Sequence, residues 1–358
     1  MKYKHIIKNN RRKWGLGKNL FCPTSTAYTA ASLATYLPAA HVSALRWPNH
    51  AATPVILIAI GVTMNDQSPT ISRRQFTALS LAAGTVAAAG ITGAAPAGAA
   101  TTGAGVVDSD VQVQTPSGVC DAALVHPQGE GRWPGVILFV DAFGLRPAMR
   151  DMAKRLAADG YTVLVPNPYY RSTKAPGIDP GFDFTNPADR AKLEVLRAPI
   201  TSDAVMQDAA AYVKFLDTQT SVDKKAKMGV VGYCMGGPMT LQAAAANPAR
   251  IGAGASFHGG GLVTDKPDSP HLLVAKIKAQ YYFGIAANDD QRQPDAKTKL
   301  DEAFHAAHLP AKIEVYEGTL HGWCVKDMPL QAGKPIYNEA QAERAWNELV
   351  VLYKRAHV

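Results

Sequence analysis

Acidic residues are almost missing from the first 99 positions of this chain. They hold ten Lys and Arg but one carboxylate, Asp66. The formal charge of +8 on 358 residues therefore comes from that segment, because 27 basic residues meet 28 acidic ones in the rest. Without a basic surplus there, no nucleic-acid partner is expected. Cysteine is scarce as well: Cys22, Cys120, Cys234 and Cys324 are the full set. Three thiols beyond the first 99 residues cannot make a disulfide framework for a domain of this size. Two free buried thiols at Cys120 and Cys324 are expected, with a bridge between them as the alternative. Long apolar runs are missing too. Pro54 to Val62 is short for a membrane helix, and the run after Phe76 is Ala-rich and weakly apolar, so no stable membrane insertion of the mature form is expected.

What the first hundred residues do contain is an address. Ser72-Arg73-Arg74-Gln75-Phe76 leads into an Ala-rich run to Gly90 and then Ala97-Gly98-Ala99. Paired arginines, a mildly apolar stretch and a small-residue cleavage site look like a twin-arginine export signal. That predicts a Tat translocase partner during export and a periplasmic or extracellular location. Met64 supplies the short segment such a signal normally has, so 64–100 reads as the signal peptide. Residues 1–63 read as an over-extended N-terminus, with no stable fold before about residue 105.

From Val106 onward the text is globular, and 101–358 reads as one domain. Val111 to Gln114 and Val119 to Val125 alternate like hairpin strands. Continuous apolar runs at Gly135 to Val140, Tyr161 to Val165, Met228 to Val231, Gly252 to Phe257, Ala279 to Gly284 and Ile313 to Tyr316 suit buried strands. Helical spacing recurs at Met149 to Ala157, Ala204 to Leu216, Pro238 to Ala246, Ala296 to Ala306 and Glu339 to Tyr353. Alternation of the two predicts an α/β fold with a mostly parallel sheet and helices on both faces. Asn167 to Asn186, rich in Pro, Gly and Asp, reads as a long loop.

The stretch carrying chemistry is Lys227 to Ala246, KMGVVGYCMGGPMTLQAAAA. A buried strand, then Gly232-Tyr233-Cys234-Met235-Gly236, then a helix is the nucleophile elbow of α/β-hydrolases, with Cys as the nucleophile. The glycines leave room for a sharp turn that lifts the central side chain above the sheet, at a helix N-terminus whose dipole favours a thiolate. A thiol nucleophile needs a base, and the base an orienting acid, in the order nucleophile, acid, base. Of seven histidines beyond residue 99, only His321 lies in a loop between the last strand and the last helix. His258 ends a strand too early in that order. Asn288-Asp289-Asp290 follows the strand before, and either Asp289 or Asp290 fits as the acid.

These motifs together resemble the dienelactone hydrolase family. So does Asp141-Ala142-Phe143-Gly144-Leu145 followed by Met149-Arg150, and the resemblance runs from about Val106 to the C-terminus. It implies an α/β-hydrolase fold and a triad of Cys234, His321 and Asp289, with Asp290 as the alternative acid. It implies an oxyanion hole from the N–H groups of Met235 and Ala142. The family carries Glu where this chain has Asp141. Asp141 either helps take the thiol proton or holds the oxyanion loop. The family also anchors a substrate carboxylate with arginines. Arg190 falls near one such position, the second is replaced around Lys326, and Arg171 and Trp323 are further substrate-binding candidates.

The chemistry this implies is attack of a Cys234 thiolate on a lactone or activated ester, an acyl-thioester enzyme, and hydrolysis by water activated at His321. No metal or organic cofactor is called for. A general carboxylesterase or thioesterase on the same fold is one rival; a non-hydrolytic thiol or binding protein is the other.

Overall fold

The computed structural model describes residues 105–179 and 181–358. The twin-arginine motif, the Ala99 region and Met64 lie outside them. Eight strands form one sheet: β1 (Val106–Thr115), β2 (Gly118–Pro127), β3 (Gly135–Phe139), β4 (Thr162–Pro166), β5 (Met228–Tyr233), β6 (Ile251–Phe257), β7 (Gln280–Ala286) and β8 (Ala311–Tyr316). Their order across the sheet is β1-β2-β4-β3-β5-β6-β7-β8. β1, β2 and β4 pair antiparallel, and every other pairing is parallel.

Both faces of the parallel strands are covered, which is why they read as unbroken apolar runs. Along β3 the side chains alternate between two cores. Val136 and Leu138 point to the face covered by α1 (Pro147–Ala158) and α7 (Glu339–Arg355). Ile137 and Phe139 point to α3 (Ser202–Thr218), α4 (Gly236–Ala246) and α6 (Ala296–Ala306). Each such side chain, fully buried, contributes about 1.5–3 kcal/mol. Truncating Leu138, which has no exposed surface, to Ala is expected to cost about 2–5 kcal/mol.

Two helices escaped the apolar pattern. In α2 (Pro187–Arg197) only Leu193 is buried, so few apolar positions stand out in a mostly polar stretch. Its start is set instead by Asn186, whose side chain accepts the Ala188 N–H, and by Pro187 in the first turn. The short α5 (Ala287–Arg292) carries the acid loop and buries nothing. No described helix is long and apolar enough to cross a membrane.

The order of connections positions the site. From β3 the chain steps outward to β4, then returns to place β5 on β3's other side. A crevice opens outside the carboxyl ends of strands where the order reverses this way. The loop after β3 and the turn after β5 face each other across that crevice.

Candidate active site

Cys234 directly follows β5 with φ of +51°, a left-handed conformation that costs a non-glycine residue energy. The turn is enforced by what surrounds it. A Cβ on Gly232 would lie 2.1 Å from the Gly236 carbonyl oxygen, and one on Gly236 would lie 2.3 Å from that of Phe139. Neither position tolerates a side chain. The Cys234 N–H donates to the Phe257 carbonyl at 3.1 Å, and its own carbonyl accepts the Gly237 N–H at 3.0 Å. Its thiol is left half-buried. Cys120 and Cys324 are buried and free, so the bridge is not formed. Burial pushes the Cys120 thiol up to about 12.

The acid and base loops are laced together. Nδ1 of His321 donates to Asp289 Oδ2 at 2.7 Å. The His321 backbone N–H donates to Asn288 Oδ1 at 2.9 Å, and the Ala287 N–H reaches Thr319 Oγ1 at 3.4 Å. Asp290, the alternative acid, is held by Lys297 at 2.6 and 2.8 Å and makes no bond to His321. Asp289 spends its other oxygen on Arg292, at 2.8 Å.

Burial alone would lower the His321 pKa. The Asp289 hydrogen bond and the nearness of Asp289 and Cys234 outweigh it and push His321 up to about 10. His321 is thus bonded to the acid and close to the thiol.

The loop after β3 is pinned from two sides. The Phe143 N–H donates to Asp141 Oδ1 at 2.9 Å, and the Arg146 guanidinium forks onto both Asp141 oxygens at 2.7 and 3.0 Å. Burial pushes the Asp141 carboxyl up, while Arg146 and the Phe143 N–H pull it back. From the other side, Tyr169 donates its hydroxyl to the Ala142 carbonyl at 2.7 Å. Among the described residues, the N–H groups of Ala142 and Met235 have no backbone or side-chain acceptor. Two free donors at the ends of adjacent strands suit a developing oxyanion. Of the two readings of Asp141, the geometry favours loop holder.

The candidate substrate contacts fare differently. Arg171 is committed to Asp208 by a two-pronged ion pair at 2.8 and 2.9 Å. Trp323 has no exposed surface, stacking on Tyr316 beneath the site with centroids 4.8 Å apart. Both are corrections: the first is a buried structural pair and the second a core residue. Arg190 is exposed and donates to the carbonyls of Phe184 and Thr185 at 3.0 and 3.3 Å, closing its own loop. Lys326 stands over the Tyr337 ring at 5.9 Å. The structure brings neither to His321.

Several further residues stand near the site. Arg146, Tyr169, Asn288 and Arg292 carry no motif of their own. Asn288 offered the best signal, as a loop Asn adjoining the acid. His258 is set beside His321 with ring centroids 5.0 Å apart. Burial and His321 hold its pKa well below the ordinary value, so it stays neutral. Apolar walls complete the crevice: Phe143, Phe182 and Phe184 stack edge to face at 4.8–5.9 Å. A 290 Å³ hollow beside Met235 is mixed in character, lined by Met239, Ile200 and Val205 but also by Glu194, Arg197 and Gln242. Among the described residues no three His, Cys, Asp or Glu side chains gather as a metal site.

The dienelactone hydrolase family model matches residues 120–357, spanning the elbow, the acid loop and the His321 loop. The chain belongs to the dienelactone hydrolase family. It is therefore a hydrolase of ester-type bonds on the α/β-hydrolase fold. Among relatives, a protein of Methylorubrum extorquens named "Putative carboxymethylenebutenolidase" is 30% identical over 285 residues, covering 78% of this chain and 91% of its own. One of the same name from Synechocystis is 27% identical and covers 64% and 89%. Among solved structures, one titled "Putative Dienelactone Hydrolase" from Klebsiella pneumoniae superposes with a TM-score of 0.59 at 20% identity, over 70% of this chain and 99% of that one. That likeness speaks to the fold.

Proposed function

We propose that this dienelactone hydrolase homologue cleaves a lactone or activated carboxylic ester through a cysteine acyl-enzyme. The observation that carries the reading is the His321 imidazole, hydrogen-bonded to Asp289 at 2.7 Å and close enough to Cys234 for that group to raise its pKa, with Cys234 at a strained elbow. The Cys234 thiolate attacks the carbonyl carbon, and the oxygen takes negative charge against the Met235 and Ala142 N–H groups. The C–O bond then breaks and His321 delivers its proton to the departing oxygen, which in a lactone stays tethered to the acyl group. Neutral His321 next removes a proton from water. The resulting hydroxide attacks the thioester, the C–S bond breaks, and Cys234 is restored.

A thiolate leaves readily, which suits enol esters and lactones over amides. The relatives' printed name points to the same bond class. Arg171 is committed to Asp208 and Arg190 to the Phe184 and Thr185 carbonyls, and Phe143, next to Ala142, stacks with Phe182 and Phe184. This favours a substrate more apolar than a small dicarboxylate. Turnover of an aryl-substituted enol lactone against an aliphatic ester such as ethyl butyrate tests it. Preference for the ester by kcat/KM would favour a general carboxylesterase.

Export through a twin-arginine signal, to the periplasm or beyond, belongs to the same proposal. It rests on Arg73, Arg74 and the small residues near Ala99. The Tat translocase is the partner it requires.

A further inference from the structure

A second cavity, of about 440 Å³, opens on the α1 and α7 face of the sheet. It shares no lining residue with the Cys234, His321, Asp289, Ala142 and Met235 set. Its floor is Tyr233 and Phe257; Met152 of α1 and Trp346 of α7 form walls, and Cys324 closes a third side. That volume falls in the range of about 300–1,000 Å³ typical of small-molecule sites, and an apolar, aromatic lining with few polar groups is their usual chemistry.

Charges stand around the rim, and most are committed. Arg155 forks onto Glu343 at 2.7 and 2.6 Å and lies 4.1 Å over the Trp346 ring. Asp327 is held by Arg146 at 2.8 and 2.7 Å. Asp151 pairs with Lys154 at 3.1 Å. Lys326 makes no ion pair among the described residues and is exposed at the mouth. Lys326 is therefore the cation of this mouth that has no ion-pair partner among the described residues.

We propose that the cavity is a second binding site, for a small amphipathic monocarboxylate. Its apolar body rests on Tyr233, Phe257 and Trp346, and its carboxylate meets the Lys326 ammonium. Burial of an aromatic or alkyl body supplies the affinity, and the ion pair selects the acid over neutral analogues. Tyr233 and Phe257 directly precede Cys234 and His258 in the chain, so an occupant stands one residue from the elbow without entering the crevice.

The probes are 3-phenylpropionate and its neutral counterpart 3-phenylpropanamide, titrated calorimetrically into the full-length protein. Lys326→Gln is expected to weaken the acid about tenfold, the effect of a charge-assisted hydrogen bond, and to leave the amide unchanged. Met152→Trp, which fills the cavity from its wall, is expected to abolish binding of both while ester turnover and thermal melting stay as in wild type. Carbamidomethylation of Cys234 is expected to leave the acid's affinity unchanged. Failure of the wild type to bind the acid would overturn the proposal. So would equal affinity in Lys326→Gln, binding that survives in folded Met152→Trp, or loss of binding on Cys234 modification. Should Met152→Trp fail to fold, the Lys326→Gln and Cys234 arms still decide. None of these readings depends on hydrolysis, so the catalytic proposal and this one can fail separately.

Discussion

Asn288 Oδ1 accepts the backbone N–H of His321 at 2.9 Å, one residue before the carboxylate that takes the His321 ring. The same short helix thus fixes both the loop and the imidazole. Asn288→Ala removes the loop's tether and leaves the ring's partner in place. A net hydrogen bond is worth about 0.5–1.5 kcal/mol, so kcat/KM is expected to fall about three- to tenfold. Asn288→Asp, which can still accept, is expected to recover part of the loss in steady-state assays.

The Asp141–Arg146 pair makes a sharper demand on stability. Asp141 has 1% of its side chain exposed and Arg146 12%. Removing one partner of such a pair strands a buried charge, at a cost of about 3–5 kcal/mol. Arg146→Met is expected to lower the unfolding free energy by that amount, and the urea midpoint with it. Asp141→Asn, which keeps an acceptor for the Phe143 N–H, is expected to cost less. A urea series on both variants at pH 7 checks the order.

The His321 pKa sets a pH dependence with a definite sign. Its folded value, about 10, lies above the ordinary histidine value of about 6.5. The stability this contributes is fully present below about pH 6.5 and is lost as pH rises through about 10. Asp289→Asn removes the leading cause of the rise. Its urea midpoint is therefore expected to fall furthest below wild type at pH 6 and to converge on it toward pH 10. The alkaline limb of kcat/KM for an alkyl ester, whose leaving oxygen needs the His321 proton, is expected to move to lower pH in the same variant.

Export is expected to depend on Arg73 and Arg74. Lys at both positions should leave the precursor inside the cell, as fractionation and immunoblotting would show. Unchanged export would remove the twin-arginine claim.

Much of this architecture was legible because it is written in short-range pattern. Unbroken runs such as Gly135 to Val140 announced buried parallel strands. Cys234 was legible because only glycine fits at Gly232 and Gly236. His321 and the pair Asp289 and Asp290 were legible from chain order alone. Choosing between the two acids was not, because it depends on which carboxylate faces His321 and which faces Lys297. Tyr169 was hidden for a similar reason, since it reaches Ala142 across 27 residues, and Arg146 because its pairing with Asp141, five residues away, follows no regular helix or strand spacing. Arg171 and Trp323 misled because a charge or a ring beside a motif reads as a substrate contact until Asp208 and Tyr316 are seen beside them.

The most direct test of the cysteine mechanism is to trap the intermediate. The protein is mixed with p-nitrophenyl acetate, quenched in acid within the first turnover, digested, and read by peptide mass spectrometry. An acetyl group is expected on the peptide bearing Cys234, none on those bearing Cys120 or Cys324, and no ester turnover in folded Cys234→Ala. Turnover near the wild-type rate in Cys234→Ala, with no adduct on Cys234 in the wild type, would contradict it.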